Sequence, residues 1–372
     1  MEDESFAMNG GDGLNSYKKN SKFQLQLWQR QGFDASKILL RDSIQENFTI
    51  QNNLNGNITT ILRIADLGCS VGPNTFACVK TIIEAVKLKF ETHQDFKTQL
   101  PEFQVFFNDQ VSNDFNTLFK GFPVDRNYMV AGVPGSFHGR LFPKASMNVM
   151  HTSFSLHWLS RVPEQVTKEG SPAWNKGRVS YVSSSDEVVE AFSAQFVRDM
   201  EGFFAARSVE LVDDGLLALL IPCRQESTLP SDSILAHIYE CVGLSLADMA
   251  KEGLVSEDLL DSFNVPIYIP SPSEVKNLVL GMKSLFSIER LEELLFPTNL
   301  STPNDIRACV SHIRATVEGV VCKHFGSELN TEELFERYFH KIEEFSKTPR
   351  FTNIENVANL FMLVKRKFHM MK

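Results

Sequence analysis

Seven short apolar runs, each about as long as a β-strand, are spaced along the chain. They cover residues 60–68, 102–109, 127–133, 147–154, 215–222, 285–291 and 358–366. Helix-like or loop segments separate them, which is typical of strands joined by longer connections. The pattern predicts a sheet of seven strands.

Amphipathic helical patterns lie between several of these runs, over residues 75–93, 185–211 and 332–347. Because strands that alternate with helices form a largely parallel sheet covered on both faces, the predicted fold class is α/β. Residues 228–284 interrupt the alternation and have a helical pattern. We expect them to form a cap over the carboxyl edge of the sheet, where open α/β sheets bind their ligands.

Composition and charge narrow the functional classes. The chain has 372 residues, of which 43% are hydrophobic and 22% charged, as in a globular protein built as one large α/β unit or two closely packed parts. A net charge of −9 without a long basic run argues against nucleic-acid binding. No window of about 18 apolar residues indicates a membrane span, and the acidic, Gly-rich N-terminal segment is unlike a signal peptide. We therefore expect a cytoplasmic protein. The six cysteines lack C-x-x-C spacing and are expected to be reduced thiols.

The stretch IADLGCSVGPNT joins the first predicted strand to a helix that starts near Thr75. Glycines at such a turn, here Gly68 and Gly72, let a ligand approach the backbone, and the helix start offers free N–H groups. Their G-x-x-x-G spacing differs from the G-x-G-x-x-G of a dinucleotide site, which argues against an NAD-dependent oxidoreductase. Asp66 and Asp109 each end a strand and taken alone are turn residues, but a carboxylate at Asp109 can accept both hydroxyls of a ribose. Together the motifs predict a nucleoside-bearing cofactor.

Two further strand ends carry candidate binding residues. In AGVPGSFHG, Ser136 and Phe137 follow the third strand, where a hydroxyl and an aromatic face can hold and stack an adenine. The absence of a G-x-S-x-G elbow there argues against a hydrolase. In HTSFSLHWLS, the fourth strand is followed by His157 and Trp158, which are either core residues or substrate contacts. Three other histidines have no partner at metal-like spacing and are expected to be structural: His138, His151 and His237.

These motifs occur together, in this order and spacing, in one family. The segments MNGGDGLNSYKKNSKFQ, DLGCSVGPNT, FFNDQVSNDFNTLF, VPGSFHGRLFP, SFSLHWLS, WNKGR, DSFNVPIY and HFG resemble the SABATH family of plant S-adenosylmethionine-dependent methyltransferases. The resemblance implies a Rossmann-like methyltransferase core with a helical active-site cap, often dimeric. It also implies methylation of small-molecule carboxylates or, in one branch, of xanthine ring nitrogens. The core would comprise residues 1–225 and 285–372, and the cap residues 226–284 with parts of 160–185 and 295–345.

Carried over residue by residue, the resemblance implies three sets of site residues. Those around S-adenosylmethionine are Tyr17, Ser21, Asp66, Cys69, Asn74, Asp109, Gln110, Ser136 and Phe137. The catalytic set is Gln24, His157 and Trp158, and the acceptor pocket adds Tyr17, Phe154, Tyr239, Ile267 and Tyr268. A magnesium site, which the reaction does not require, would use Asn175, Asp261, Phe263 and Asn264.

The chemistry of carboxyl methylation agrees with this set. A carboxylate has a pKa of about 4 and is ionised at neutral pH, so it needs no general base. The Gln24 amide and the Trp158 indole can orient the carboxylate without neutralising it as an arginine would. The main contribution expected of the enzyme is to place one oxygen in line with the sulfonium methyl, and such alignment can be worth about 7 to 11 kcal/mol.

Four positions depart from the family's pattern. Phe154 stands where many carboxylate-methylating members have Tyr, and Ile267 stands where salicylate- and loganate-type members have Gln. Both changes make the cavity less polar, so we expect an aromatic, indolic or terpenoid acid rather than a sugar-decorated one. Asn9 in place of Lys and Gln110 in place of Leu leave the cofactor assignment intact. Xanthine N-methylation, an NAD-dependent oxidoreductase and a catalytically silent receptor on the same fold remain the alternatives.

Overall fold

All seven predicted strands are present in the structure. The computed structural model describes residues 7–21, 32–50, 61–93, 100–297, 300–326, 329–352 and 356–368. The strands are β1 (Ile61–Leu67), β2 (Glu102–Asp109), β3 (Met129–Pro134), β4 (Met147–Ser153), β5 (Leu211–Cys223), β6 (Phe286–Pro297) and β7 (Asn356–Arg366). β5 begins before the predicted residue 215, and β6 continues past the predicted residue 291.

The strands form one sheet in the order β3-β2-β1-β4-β5-β7-β6. Neighbours among β1 to β5 pair in parallel, whereas β7 runs antiparallel to both β5 and β6. The predicted largely parallel sheet is confirmed, with β7 as its reversed strand. β1 is flanked by β2 on one side and β4 on the other, so the connections after β1 and β4 leave the sheet in different directions. Open α/β sheets bind ligands in the crevice at such a switch point.

Successive residues of the central strands pack into different cores. On β1, Leu62 and Ile64 belong to a cluster on one face, whereas Ala65 and Leu67 belong to the cluster on the other. Residues 216–221 of β5 alternate in the same way. Side chains alternate across a strand, and here both faces are covered, so these strands have continuous apolar sequences.

The predicted helices over 75–93, 185–211 and 332–347 are confirmed with small shifts at their ends. In chain order the described α-helices are α1 (Tyr17–Asn20), α2 (Gly32–Asn47), α3 (Pro73–Thr92), α4 (Phe115–Lys120), α5 (Glu164–Thr167), α6 (Asp186–Glu210), α7 (Ile234–Lys251), α8 (Glu257–Ser262), α9 (Pro272–Gly281), α10 (Pro303–Phe325), α11 (Thr331–Ser346) and α12 (Pro349–Thr352). None of the helices in the described ranges is long and apolar enough to cross a membrane.

Residues 228–284 are mostly helical, as predicted, and contain α7, α8 and α9. α7 packs on α11, which also contacts α10, and α10 in turn contacts α1. α10 was not predicted, although its start carries a clear signal. Thr302 and Asp305 form a capping box, each side chain accepting the other residue's backbone N–H, and Pro303 occupies the first turn. The boundaries between core and cap stay a prediction.

Candidate active site

The loop after β1 presents backbone to the carboxyl edge of the sheet. Gly68 has a φ of +76° and Ser70 a φ of 50°, both in the left-handed region. A Cβ atom at Gly68 would overlap the Ser155 hydroxyl, and one at Gly72 would lie 2.9 Å from Ser21 Oγ. Glycine is therefore required at Gly68 by both conformation and space. The result is a narrow turn whose peptide groups can be approached by a ligand.

A buried acid–imidazole pair lies beneath this turn. Asp66 and His151 are register partners on β1 and β4, and Asp66 Oδ1 lies 2.6 Å from His151 Nδ1. Thr75 at the start of α3 donates its hydroxyl to the same carboxylate. Burial disfavours the charged imidazole, but the Cys78 sulfur and the Asp66 carboxylate outweigh burial and raise the pKa of His151 to about 10. His151 is thus a cation at neutral pH, and it also lines the cleft above.

Asp109 ends β2 with both of its carboxylate oxygens engaged. Oδ2 accepts the Ser70 N–H at 2.7 Å, and Oδ1 accepts the Gln110 N–H at 2.7 Å. The preceding residue, Asn108, donates its amide to the Val133 carbonyl at 2.7 Å and so ties β2 to β3. Burial raises the pKa of Asp109 to about 6, although both N–H groups favour the carboxylate. Each carboxylate oxygen can accept a second hydrogen bond, so hydroxyl groups of a ligand can be held here.

Two clefts meet at these strand ends. The first, of about 490 Å³, is lined by residues that include Asp66, Cys69, Asn74 and His151. The second, of about 640 Å³, is lined by residues that include Asp109, Gln110, Phe137 and Trp158. Both clefts are also lined by Tyr17, Gly68, Ser70, Ser153 and Phe154. The shared walls make them one continuous trough across the carboxyl ends of β1, β2 and β4.

Phe154 turns the chain immediately after β4. Its φ of 55° is unusual for a bulky residue, and its N–H donates to the Leu220 carbonyl at 2.9 Å. Left-handed backbone of this kind persists where the surrounding structure fixes it, and it is frequent at binding sites. Phe154 therefore marks the junction between the two halves of the trough.

The segment after Phe154 is fixed to a part of the chain that is distant in sequence. Trp158 and Ile267 form an isolated antiparallel bridge, and the Tyr268 N–H donates to the His157 carbonyl at 2.9 Å. The ring of Tyr239 on α7 meets the indole edge-on, with centroids 6.2 Å apart. Three predicted acceptor residues thus contact the segment that carries the proposed indole donor, and one of them, Tyr239, contacts the indole itself.

Two buried histidines near this end of the trough are neutral. Burial, assisted by His312, lowers the pKa of His157 to about 3, and burial lowers the pKa of His312 to about 4. His312 lies on α10 with its ring centroid 6.0 Å from that of Tyr17. Within the described ranges, neither cleft is lined by a lysine or an arginine. A carboxylate bound here would meet neutral donors.

The residues implied for magnesium lie together, but their oxygens are engaged by hydrogen-bond donors. The Asn175 amide donates to Asn264 Oδ1 at 2.7 Å, and Asn175 Oδ1 accepts the Ser184 hydroxyl at 2.7 Å. Asp261 accepts the Gly177 N–H at 2.7 Å. Over the part of the chain that the structure describes, no group of three or more His, Cys, Asp and Glu is placed to hold a metal ion. These three oxygens are thus engaged within the protein, and the magnesium site stays a prediction.

The other predicted site residues include Gln24, Tyr268 and Ser136. Gln24 lies outside the described residues. The Tyr268 hydroxyl donates to Glu274 Oε1 at 2.7 Å. Its contact with the acceptor segment is made by its backbone N–H. Ser136 is exposed beside Phe137 and accepts the N–H of His138 at 3.3 Å.

Several lining residues were not predicted from the sequence. His138, expected to be structural, lines the second cleft together with Met8, Ser153, Ser155 and Ser160. The strand-end position of Ser153 could have indicated it, because Ser153 is the last residue of β4 as Asp109 is the last residue of β2. The contact of His312 with Tyr17 has no such signal, since it depends on how α10 packs.

A model of the S-adenosylmethionine-dependent carboxyl methyltransferase family matches residues 3–367. The chain belongs to this family. The SABATH resemblance is confirmed, and the protein is an S-adenosylmethionine-dependent carboxyl methyltransferase. This family membership rules out the alternative that the protein is an NAD-dependent oxidoreductase.

Individual relatives of this carboxyl methyltransferase span nearly its whole length. It is 38% identical over 374 residues to loganic acid O-methyltransferase of Catharanthus roseus, covering 98% of this chain and 95% of the relative. It is 38% identical to farnesoic acid carboxyl-O-methyltransferase of Arabidopsis thaliana, covering 91% and 93%. It is 35% identical to caffeine synthase 1 of Camellia crassicolumna, covering 94% and 95%.

A solved structure of loganic acid methyltransferase with SAH is similar throughout, with a TM-score of 0.88 and 37% identity over 98% of this chain and 100% of that one. This match confirms the Rossmann-like methyltransferase fold.

The trough of this methyltransferase fits S-adenosylmethionine. Asn74 Oδ1 and Ser21 Oγ are buried without a hydrogen-bond partner in the described structure, and Asn74 lines the first cleft. Buried polar atoms are rarely left unsatisfied, so these atoms indicate polar groups of a ligand. Asp109 offers acceptors for ribose hydroxyls, and Phe137 offers an aromatic face for adenine.

Proposed function

We propose that this carboxyl methyltransferase esterifies a small acid whose body beyond the carboxylate is aromatic, indolic or terpenoid. The observation that carries the proposal is the set of apolar and aromatic side chains around Trp158, together with the lack of a lysine or an arginine in the described lining of either cleft. Trp158 is bridged to Ile267, Tyr239 packs edge-on against the indole, and Phe154 closes the junction. The neighbouring His157 is neutral. The aromatic and aliphatic side chains favour an apolar body, because a polar group buried against them, rather than against the serines of the same cleft, would lack partners.

The relatives do not decide between acids. The chain is equally identical, at 38%, to a loganic acid and to a farnesoic acid methyltransferase. Farnesoic acid, in the name of the second relative, has a wholly apolar chain beyond its carboxylate. Such a chain agrees with the apolar side chains of Phe154 and Ile267. We therefore place loganic acid as the competing substrate in the test.

The proposed division of labour follows from the chemistry of each residue. S-adenosylmethionine, when bound, supplies a methyl group activated on a sulfonium. The acceptor carboxylate is already ionised at neutral pH, so no residue has to remove a proton. The indole N–H of Trp158 and, outside the described residues, the amide of Gln24 would orient one oxygen toward the junction at Phe154. Closure of the apolar walls excludes water, which strengthens these hydrogen bonds.

The test is a panel of acids incubated with methyl-labelled S-adenosylmethionine and scored for ester formation. Benzoic, indole-3-acetic, farnesoic and loganic acids cover the four body types, and a xanthine tests N-methylation. We expect at least one apolar acid to exceed loganic acid in kcat/KM. A preference for loganic acid would refute the apolar pocket, and turnover of the xanthine alone would refute the carboxyl acceptor.

The variant Trp158→Phe keeps an aromatic ring but removes the indole donor. We expect it to raise the KM for the preferred acid roughly tenfold to hundredfold, as for loss of a hydrogen bond to a charged group. Its affinity for S-adenosylhomocysteine, measured by calorimetry, should equal that of wild type. An unchanged KM would exclude Trp158 as a carboxylate donor.

Adding polarity to the walls should shift the preference. Phe154→Tyr and Ile267→Gln should each raise the ratio of loganic to farnesoic acid turnover about twofold to tenfold, the range of one neutral hydrogen bond. Ile267→Leu is the matched control, because it changes shape without adding a polar group. A shift as large in Ile267→Leu would mean that shape, not polarity, sets the preference.

Two expectations from the sequence stay predictions, a homodimer and a cytoplasmic location. Light scattering on the purified protein tests the first, and imaging of a fluorescent fusion tests the second.

A further inference from the structure

Helix α6 carries a buried ion pair that forms hydrogen bonds with the loop beside the proposed adenine site. Arg207 and Glu210 are both fully buried and lie 2.8 Å apart. The Arg207 guanidinium also donates to the carbonyls of Phe137 and Gly139, at 2.8 Å each. The pair is therefore bound to the backbone of the loop that presents Phe137.

The other member of the pair holds the same loop further along. Glu210 Oε1 accepts the N–H groups of Leu141 at 2.5 Å and Phe142 at 3.0 Å. One carboxylate and one guanidinium thus fix four peptide groups between residues 137 and 142.

About two helical turns earlier, a second buried acid on α6 holds the acceptor segment. Asp199 accepts the Ser160 N–H at 2.8 Å and the Ser160 hydroxyl at 2.6 Å, using both oxygens. Gln195, one turn before, also donates to Asp199 at 2.8 Å. Ser160 lies two residues after Trp158, so Asp199 fixes the chain next to the proposed indole donor.

Between these two anchors, the loop and the helix come into close contact. A Cβ atom at Gly202 would lie 3.1 Å from the His138 carbonyl, so the small residue permits this approach. The His138 side chain interacts with Asp199 and with the backbone of Trp158, and it lines the same cleft as Trp158 and Ser160. The cofactor loop and the acceptor segment therefore meet above one stretch of α6.

Buried ion pairs are in general not required for packing. Apolar residues of similar volume often replace a buried ion pair without loss of stability, whereas a fully bonded buried network specifies one arrangement. Here the bonds run from one rigid helix to the backbone of two different loops. Their physical effect is to fix the position of one loop relative to the other.

We infer that α6 sets the distance between the cofactor and the acceptor, with Asp199 positioning the Trp158 segment and the Arg207–Glu210 pair positioning the Phe137 loop. These are positioning residues, because they act through the side chains that touch the ligands. The inference rests on the proposed placement of adenine at Phe137 and of the carboxylate at Trp158. Methyl transfer depends steeply on such alignment, since a misplacement of about 1 Å can cost roughly a hundredfold in rate.

The experiment separates the two anchors by their different readouts. Arg207→Lys and Glu210→Gln should weaken S-adenosylhomocysteine binding roughly tenfold, measured by calorimetry on the purified protein. Asp199→Asn, which leaves one acceptor oxygen for two Ser160 donors, should lower kcat/KM for the preferred acid roughly tenfold or more while S-adenosylhomocysteine binding stays within about twofold. Ser160→Ala should follow Asp199→Asn with a smaller loss, because it removes one of the two bonds.

Met200→Leu is the matched control, since Met200 is fully buried on the same helix and bonds neither loop. We expect it to leave both readouts unchanged. If Asp199→Asn folds poorly, Ser160→Ala carries the same test from the loop side. Asp199→Glu keeps the charge and should recover part of the lost kcat/KM.

Two results would overturn the inference. One is that all variants, including Met200→Leu, lower S-adenosylhomocysteine affinity and kcat/KM in proportion to their loss of stability. Such a result would mean that the residues of α6 act only by stabilising the fold. The other is that Asp199→Asn and Ser160→Ala leave kcat/KM unchanged although Trp158→Phe lowers it. If Trp158→Phe itself has no effect, the proposed acceptor site fails, while the S-adenosylhomocysteine titrations of Arg207→Lys and Glu210→Gln still test the other anchor.

Discussion

The two ends of the trough are built by different means. At the cofactor end, backbone groups define the shape, with Gly68 in a left-handed conformation and two N–H groups on Asp109. At the proposed acceptor end, segments distant in sequence define it, through the backbone bridge of Trp158 with Ile267 and the ring contact of Trp158 with Tyr239. The first construction depends on short motifs at strand ends, and the second depends on how distant segments pack.

The two ends also differ in charge. His151 beneath the cofactor end is a cation paired with a carboxylate, whereas His157 at the acceptor end is neutral. The difference shows that similar burial has opposite consequences, depending on whether groups such as the Cys78 sulfur and the Asp66 carboxylate lie beside the imidazole. It also indicates where substitution is tolerated, because removing one member of a buried ion pair leaves an uncompensated charge.

The largest expected effect comes from comparing His151→Leu with His157→Leu. The first leaves Asp66 buried without its cation and should lower the free energy of unfolding by about 3 to 5 kcal/mol. The second removes a neutral group of similar volume and should cost less than about 1.5 kcal/mol. Urea denaturation at pH 7 measures both, and equal losses would refute the charge difference between the two ends.

The same two variants should also differ in how their stability depends on pH. The folded-state pKa of His151 is raised to about 10 from 6.5, so its contribution to stability is complete below pH 6.5 and is lost as the pH rises toward 10. Wild type and His157→Leu should therefore become less stable over this range. His151→Leu should lack that part of the decline.

A smaller effect is expected from Gly68→Ala, which tests the backbone construction of the cofactor end. A left-handed alanine costs about 1 to 2 kcal/mol, and the overlap with Ser155 adds about 1 to 3 kcal/mol. Gly170→Ala is the matched control, because Gly170 has a φ of +77° with nothing within 4 Å of its would-be Cβ. Denaturation midpoints should fall more for Gly68→Ala, and only this variant should weaken S-adenosylhomocysteine binding. If both variants behave alike, the close approach at Gly68 has no importance.

The smallest expected effect is the pH dependence of cofactor binding. The pKa of Asp109 is raised to about 6, so lowering the pH from 7 to 5 protonates the carboxylate that is proposed to accept the ribose hydroxyls. The dissociation constant of S-adenosylhomocysteine should rise by up to about tenfold over this range. Asp109→Asn should bind more weakly than wild type and show a flat profile, and a flat profile in wild type would contradict the assignment.

The sequence predicted the fold well because the two signals used, the apolar runs and the residues at strand ends, are both local. The apolar runs identified all seven strands, since a strand covered on both faces needs apolar residues at every position. The glycines and the acids at strand ends predicted a cofactor site at the carboxyl edge, and the structure brings these residues together because parallel strands have their carboxyl ends at one edge. The reversed direction of β7 was not evident, since apolarity does not encode strand direction.

The acceptor site was predicted through family resemblance, and the protonation states and contacts of its residues depend on tertiary packing. The sequence by itself determined that Trp158 and His157 follow β4, but not that His157 is neutral or that α10 places His312 nearby. Nor did it show that Asp199, Arg207 and Glu210 hold two loops from one helix. Such contacts join residues far apart in the chain, and burial and pKa depend on neighbours that only the folded structure brings together.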